Sequence, residues 1–180
     1  MDFTYGAFSL GHLQVLDPRE VIFVTDVGRV IVEFLQGRPV QELIRTGAYL
    51  AAEPYPGSFR VIRKAVQTFG CVGIVSRCNP VVQEMVENWL EHWNFYEETG
   101  FDRNNQHFTT TCEAKAQKVY DEFGNDTTYF LDDGMQVLLP MEGIVRHRIL
   151  FGPQKAIPVL PSGVSWMDNW DETALFMGLA

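Results

Sequence analysis

One stretch limits the folds open to this chain more than any other: Val21-Ile22-Phe23-Val24-Thr25-Asp26, followed at once by Val27-Gly28-Arg29-Val30-Ile31. An apolar, β-branched run with no polar alternation reads as a strand covered on both faces, the usual state of strands in a parallel sheet. Open α/β sheets bind their ligands at the carboxyl ends of the strands, so Asp26 is placed for chemistry better than for packing. A strand-terminal Asp can also simply cap a loop. What Asp26 means therefore depends on what the later strands end in.

Four more strands are expected: Cys71 to Ser76, Gln106 to Phe108, Thr128 to Leu131 running into Asp132-Asp133, and Arg148 to Phe151. Helical patterns separate them. Val40 to Leu50 reads as one helix. Ser58 is the expected N-cap of a helix to Phe69 that Gly70 ends. Asn79-Pro80 supplies an N-cap and a first-turn proline. The helix it opens carries Val82, Met85, Val86, Trp89, Leu90 and Trp93 at helical spacing, a core-facing stripe. Phe95 to Asn105 reads as a loop. Thr110 and Glu113 have the spacing of a capping box for a helix to Phe123. Short helices are expected at about 135–141 and 169–177. Strands alternating with helices predict an α/β fold: a three-layer, Rossmann-like arrangement of a mainly parallel sheet with helices on both faces. The expected organisation is one domain over 1–180. Its core spans about 21–152, with an N-terminal arm at 1–20 and a C-terminal tail at 153–180 that docks on the core or makes a dimer contact.

Bulk properties exclude several functions. A chain of 180 residues can bury one sizeable core. No apolar run of about 18 residues is present, so no membrane span is expected. The net charge of −9 argues against a nucleic-acid partner, which would require a basic face. It leaves room for a small phosphorylated ligand held by a few local cations. Cys71, Cys78 and Cys112 lack metal-site spacing and are odd in number, which fits reduced thiols and a cytoplasmic location. His12, His92, His107 and His147 are scattered without zinc spacing. Trp89, Trp93, Trp166 and Trp170 are expected to anchor elements rather than to stack on ligands.

In a doubly wound sheet the strand ends share one crevice, so Asp26, Ser76, Lys115 and Asp132-Asp133 can meet there. Their chemistry suits phosphoryl transfer. A carboxylate can attack phosphorus, and the remaining work is positioning and charge neutralisation. Ser76 can donate to a non-bridging oxygen and Lys115 can supply a point charge, although Lys118, one turn on, competes for that role. Asp26 with Asp132 or Asp133 offers hard oxygens to Mg²⁺. Arg77 can hold a phosphate or merely balance charge.

This order of motifs resembles the haloacid dehalogenase (HAD) superfamily: Phe23-Val24-Thr25-Asp26-Val27-Gly28-Arg29-Val30-Ile31, Gly73-Ile74-Val75-Ser76-Arg77, Lys115-Ala116, and Tyr129-Phe130-Leu131-Asp132-Asp133. The resemblance spans about residues 21 to 152. It implies Mg²⁺ and an aspartyl intermediate, with Asp26 and Lys115 catalytic and with Ser76, Arg77 and Gly28 at the substrate. Asp26, the Gly28 backbone carbonyl, Asp132 and Asp133 would take the metal. Phosphatases of the family carry a second acid two positions after the nucleophile, where this chain has Gly28. The short segments at 32–55 and 77–106 imply a capless member, whose open site suits a large substrate or a second subunit as cover. The expected function is a Mg²⁺-dependent, phosphatase-type hydrolase acting on a phosphorylated small molecule or phosphoprotein, with a homodimer as an option. The alternative implied by Gly28 is a catalytically impaired protein that binds a ligand or another protein.

Overall fold

The computed structural model describes residues 17–34, 37–153 and 159–179. Among these residues six strands form one sheet: β1 (Ile22–Thr25), β2 (Cys71–Arg77), β3 (Gln106–Thr109), β4 (Thr127–Asp132), β5 (Val145–Phe151) and β6 (Val164–Met167). They lie in the order β3-β2-β1-β4-β5-β6, and every neighbouring pair is parallel. The order reverses direction between β1 and β4, so the switch point of the sheet falls between the strands that end in Asp26 and Asp132.

The described residues form seven helices around the sheet: α1 (Val40–Thr46), α2 (Ser58–Thr68), α3 (Pro80–His92), α4 (Phe95–Thr99), α5 (Cys112–Phe123), α6 (Met135–Leu138) and α7 (Trp170–Phe176). Successive residues of a strand point to opposite faces, and this alternation builds two cores. Phe23, Ile74, Leu131 and Ile149 pack with residues of α2, α3 and α7 on one face. Val24, Val75, Phe130 and Leu150 pack with residues of α5 and α6 on the other. This double covering is why β1 reads as a continuous apolar run.

The stripe on α3 is core, as its spacing predicts: Met85, Val86, Trp89 and Leu90 are buried. Trp89 meets the Phe34 ring edge-on at 5.5 Å, and its indole N–H donates to the Ala52 carbonyl at 2.8 Å. The other three tryptophans also donate to backbone carbonyls: Trp93 to Leu50, Trp166 to Gly152 and Trp170 to Val30. The last bond is the most consequential for the site. It ties α7 to the turn that follows Asp26, 140 residues away in sequence.

Gly73 fixes the depth at which α5 sits. A Cβ at this position would lie 2.3 Å from the Phe123 ring, so only glycine admits Phe123 there. Close approach of α5 to β2 in turn brings Lys115 within reach of the strand ends.

Several element boundaries differ from the sequence reading. Gly47, at φ 66°, ends α1 three residues before Leu50, and a 3₁₀ turn follows. The N-cap of α2 is Gly57, not Ser58, and the Ser58 hydroxyl is buried without a hydrogen bond. Thr111 rather than Thr110 caps α5, accepting from the Ala114 N–H. The stretch expected as a loop at 95–105 contains α4 and a 3₁₀ turn. Residues 164–167, taken as part of a tail, form β6 at the sheet edge. Of the expected N-terminal arm, residues 1–16 lie outside the described residues, and Pro18–Glu20 form a 3₁₀ turn capped by Asp17.

Candidate active site

At the carboxyl edge of the sheet a cleft of about 330 Å³ opens over the switch point. Asp26, Gly28, Ser76, Arg77, Lys115, Asp132 and Asp133 all line it. Strand register explains the convergence. Thr25 pairs with Ile74 on one side and Leu131 on the other, so the residues that follow leave the sheet side by side. The Asp26 N–H donates to the Leu131 carbonyl at 2.9 Å, which locks Asp26 beside Asp132.

Lys115 comes from the first turns of α5 and is fully buried. Its Nζ donates to Asp132 Oδ2 at 2.6 Å and lies 3.0 Å from Asp26 Oδ1. The second contact is an ion pair that sets the ammonium against a buried Asp26 oxygen. Lys118 is settled differently: it pairs with Glu122 at 3.0 Å on the outer face of α5. The other Asp132 oxygen accepts the Gly134 N–H at 2.8 Å.

The charges do not balance. Burial alone would lower the Lys115 pKa, but Asp26 and Asp132 outweigh it and raise it, so the ammonium is retained. Burial pushes the Asp132 carboxyl up; Lys115 pulls it back and Asp26 adds to the rise, with a net upward shift. Asp133 is also raised, first by burial and then by Asp26, against the pull of Arg29. One buried ammonium thus faces three carboxylates, and oxygen atoms from Asp26, Asp132 and Asp133 lie within 4.8 Å of one another. Three clustered carboxylates, in excess of the one ammonium among them, fit a hard divalent cation such as Mg²⁺.

Around this centre the cleft is mixed. Ser76 is buried at the end of β2, and Arg77, one residue on, is exposed. Among the described residues no carboxylate pairs with Arg77, so its charge is not committed within the fold. Arg29 stands at the rim in the left-handed region (φ 60°), with its guanidinium 3.5 Å from both Asp133 and Glu33. Phe34, Val82, Met85 and Val86 form an apolar wall. Cys78 also lines the cleft; burial, followed by the charge of Asp26, pushes its thiol up to about 11, which makes it a poor nucleophile. Sequence reasoning named Cys78 only as a reduced thiol and Val82, Met85 and Val86 only as core, and did not single out Glu33. Glu33 follows an apolar run and bears no motif signature, so only the folded turn reveals its place.

No family model matches the chain, and no curated protein matches it in sequence. Solved structures do match in shape. D,D-heptose 1,7-bisphosphate phosphatase from Burkholderia thailandensis superposes with a TM-score of 0.60 at 15% identity, covering 89% of this chain and 99% of that one. A HAD-superfamily hydrolase from Ehrlichia chaffeensis gives 0.58 at 11% identity, with 91% and 98% covered. A HAD-superfamily hydrolase, subfamily IA, from Geobacter sulfurreducens PCA gives 0.55 at 14% identity, with 91% and 98% covered. The six-stranded parallel sheet, its strand order and these superpositions together establish that the chain has the α/β, Rossmann-like fold of the HAD-superfamily hydrolases.

Proposed function

We propose that this protein is a HAD-like, phosphatase-type hydrolase acting on a phosphorylated small molecule or phosphoprotein through an aspartyl intermediate. The observation that carries the reading is the fully buried Lys115 ammonium held between Asp26 and Asp132. Holding that charge out of water is costly, and its placement suits the stabilisation of an anion at Asp26. Asp26 is the nucleophile. Lys115 orients its carboxylate and offsets charge on the phosphoryl oxygens. Ser76 and Arg77 supply further donors, and the Gly28 backbone borders the phosphoryl site. Asp26, the Gly28 carbonyl, Asp132 and Asp133 would hold Mg²⁺, which when bound neutralises charge on the phosphoryl group. Fold likeness to a bisphosphate phosphatase supports a phosphoryl substrate.

In this reading the protein is capless. The described connection between β1 and α2 holds α1 and turns, and that between β2 and β3 holds α3, α4 and a 3₁₀ turn. The cleft then needs a bulky substrate or a second copy of the chain to exclude water. Among the described residues no helix is long and apolar enough to cross a membrane. We place the protein in the cytoplasm.

Phosphate esters assayed with Mg²⁺, with EDTA and with the Asp26→Asn variant test the proposal. Turnover that needs both Mg²⁺ and Asp26 supports it, and equal turnover in the variant refutes it. Gly28 favours a second reading, a binding protein that retains the anion site without the chemistry. Wild-type turnover at ordinary enzymatic rates eliminates that alternative.

A further inference from the structure

Expelling an alkoxide from phosphorus requires a proton at the departing oxygen, and a positioned acid contributes about 10²–10⁴-fold. Residue 28 cannot provide it. A Cβ built on Gly28 meets nothing within 4 Å, so there is open space where an acid side chain would project. Several groups of the cleft are already committed: Asp133 belongs to the acidic trio assigned to the metal and pairs with Arg29. Lys115 is fixed between two carboxylates, and both Asp132 oxygens are engaged. Arginine does not give up a proton. Asp26 is the attacking group.

The turn after β1 brings another carboxylate to the cleft. Ile31 and Val32 N–H groups donate to the Val27 carbonyl at 2.8 and 3.2 Å, and Arg29 N–H donates to the Val32 carbonyl at 2.7 Å. Val32 is thereby bridged to Gly28, with Arg29 between them at φ 60°. Glu33, the next residue, leaves this bridge beside Gly28 and lines the same cleft. Arg29 Nε lies 3.5 Å from Glu33 Oε2 and the same guanidinium reaches Asp133, while Tyr55 stands close enough for the Glu33 charge to act on its phenol. Glu33 thus lies outside the acidic trio but within its cleft.

We infer that Glu33 is the proton-transfer group of the reaction, reaching from the far arm of the turn the space that residue 28 leaves empty, with Arg29 aiming its carboxyl group. The inference rests on the reading of Asp26 as nucleophile. In the first step an Asp26 oxygen bonds to phosphorus and the P–O bond to the alcohol breaks. Its electron pair stays on the departing oxygen, which takes the proton of the Glu33 carboxyl. In the second step water bonds to phosphorus and passes a proton to the Glu33 carboxylate. The bond from phosphorus to Asp26 breaks, which releases phosphate and restores both side chains.

Leaving-group dependence separates this role from a structural one. p-Nitrophenolate departs with little need of a proton, whereas an alkoxide does not. Glu33→Gln is expected to lower kcat on a simple alkyl phosphate by about 10²-fold or more, and on p-nitrophenyl phosphate by less than about tenfold. Adding Gly28→Asp to Glu33→Gln is expected to recover at least about tenfold on the alkyl ester. Equal losses on the two esters, or no loss on either, overturn the role of Glu33 and leave Asp26 untouched if Asp26→Asn still abolishes turnover. Turnover retained by Asp26→Asn, or a wild type that hydrolyses neither ester, overturns the underlying reading and the inference with it.

Discussion

Replacing Lys115 with Met keeps most of the volume of the side chain but deletes the ammonium. Two carboxylates, Asp26 at 8% exposure and Asp132 at 1%, then face each other without their buried counter-charge. Breaking a buried ion pair by removing one partner costs about 3–5 kcal/mol. A chain of this size loses about 2–4 °C of Tm per kcal/mol, so the expected drop is about 6–20 °C at neutral pH. The sign of the pH dependence follows from Asp132, whose folded pKa is already raised by burial and rises further without Lys115. A group raised in the folded state contributes stability that is present below its unfolded pKa and lost as pH rises through the folded one. The deficit of Lys115→Met should therefore shrink as pH falls from about 7.5 to 5, because the carboxyl pair can take up a proton in place of the ammonium. Thermal unfolding followed by circular dichroism, with EDTA present, measures both effects. A variant within about 1 kcal/mol of wild type at pH 7.5, or a deficit unchanged at pH 5, would refute the charge accounting.

Gly73→Ala should destabilise by about 1–3 kcal/mol, because its methyl group would overlap the Phe123 ring and push α5 outward. The double variant Gly73→Ala with Phe123→Leu, compared by chemical denaturation, should show coupling between the two sites. Cys78 should resist alkylation: with its pKa pushed up to about 11, only about one thiol in a thousand is ionised at pH 8. Peptide mapping after iodoacetamide should show slow modification of Cys78 that speeds up in Asp26→Asn, since one of the charges raising the thiol is gone. No change in that variant would remove Asp26 as a cause.

The strand ends were legible because burial on both faces demands unbroken apolar runs, and Asp26, Ser76 and Asp132 interrupt those runs at corresponding points. The α3 stripe was legible for the same reason at helical period. Cap positions slipped by a residue at Ser58 and Thr110 because neighbouring Gly57 and Thr111 meet the local requirement equally well, and the choice depends on where the helix docks. Strand β6 was hidden because its four residues lie among turn-forming Pro, Ser, Gly and Asn residues and acquire order by pairing with β5.

Local periodicity and strand-terminal polarity were enough, without coordinates, to settle the α/β class and most of the polar residues at the sheet's carboxyl edge, because both are properties of short windows of sequence. Tertiary packing made the remaining choices. The close contact of Gly73 with Phe123 sets α5 so that Lys115, not Lys118, enters the core. The turn braced by Trp170 brings Val32 back to Gly28 and so places Glu33, the next residue, in the cleft. Such choices depend on distances between residues far apart in the chain, and no short window of sequence encodes those distances.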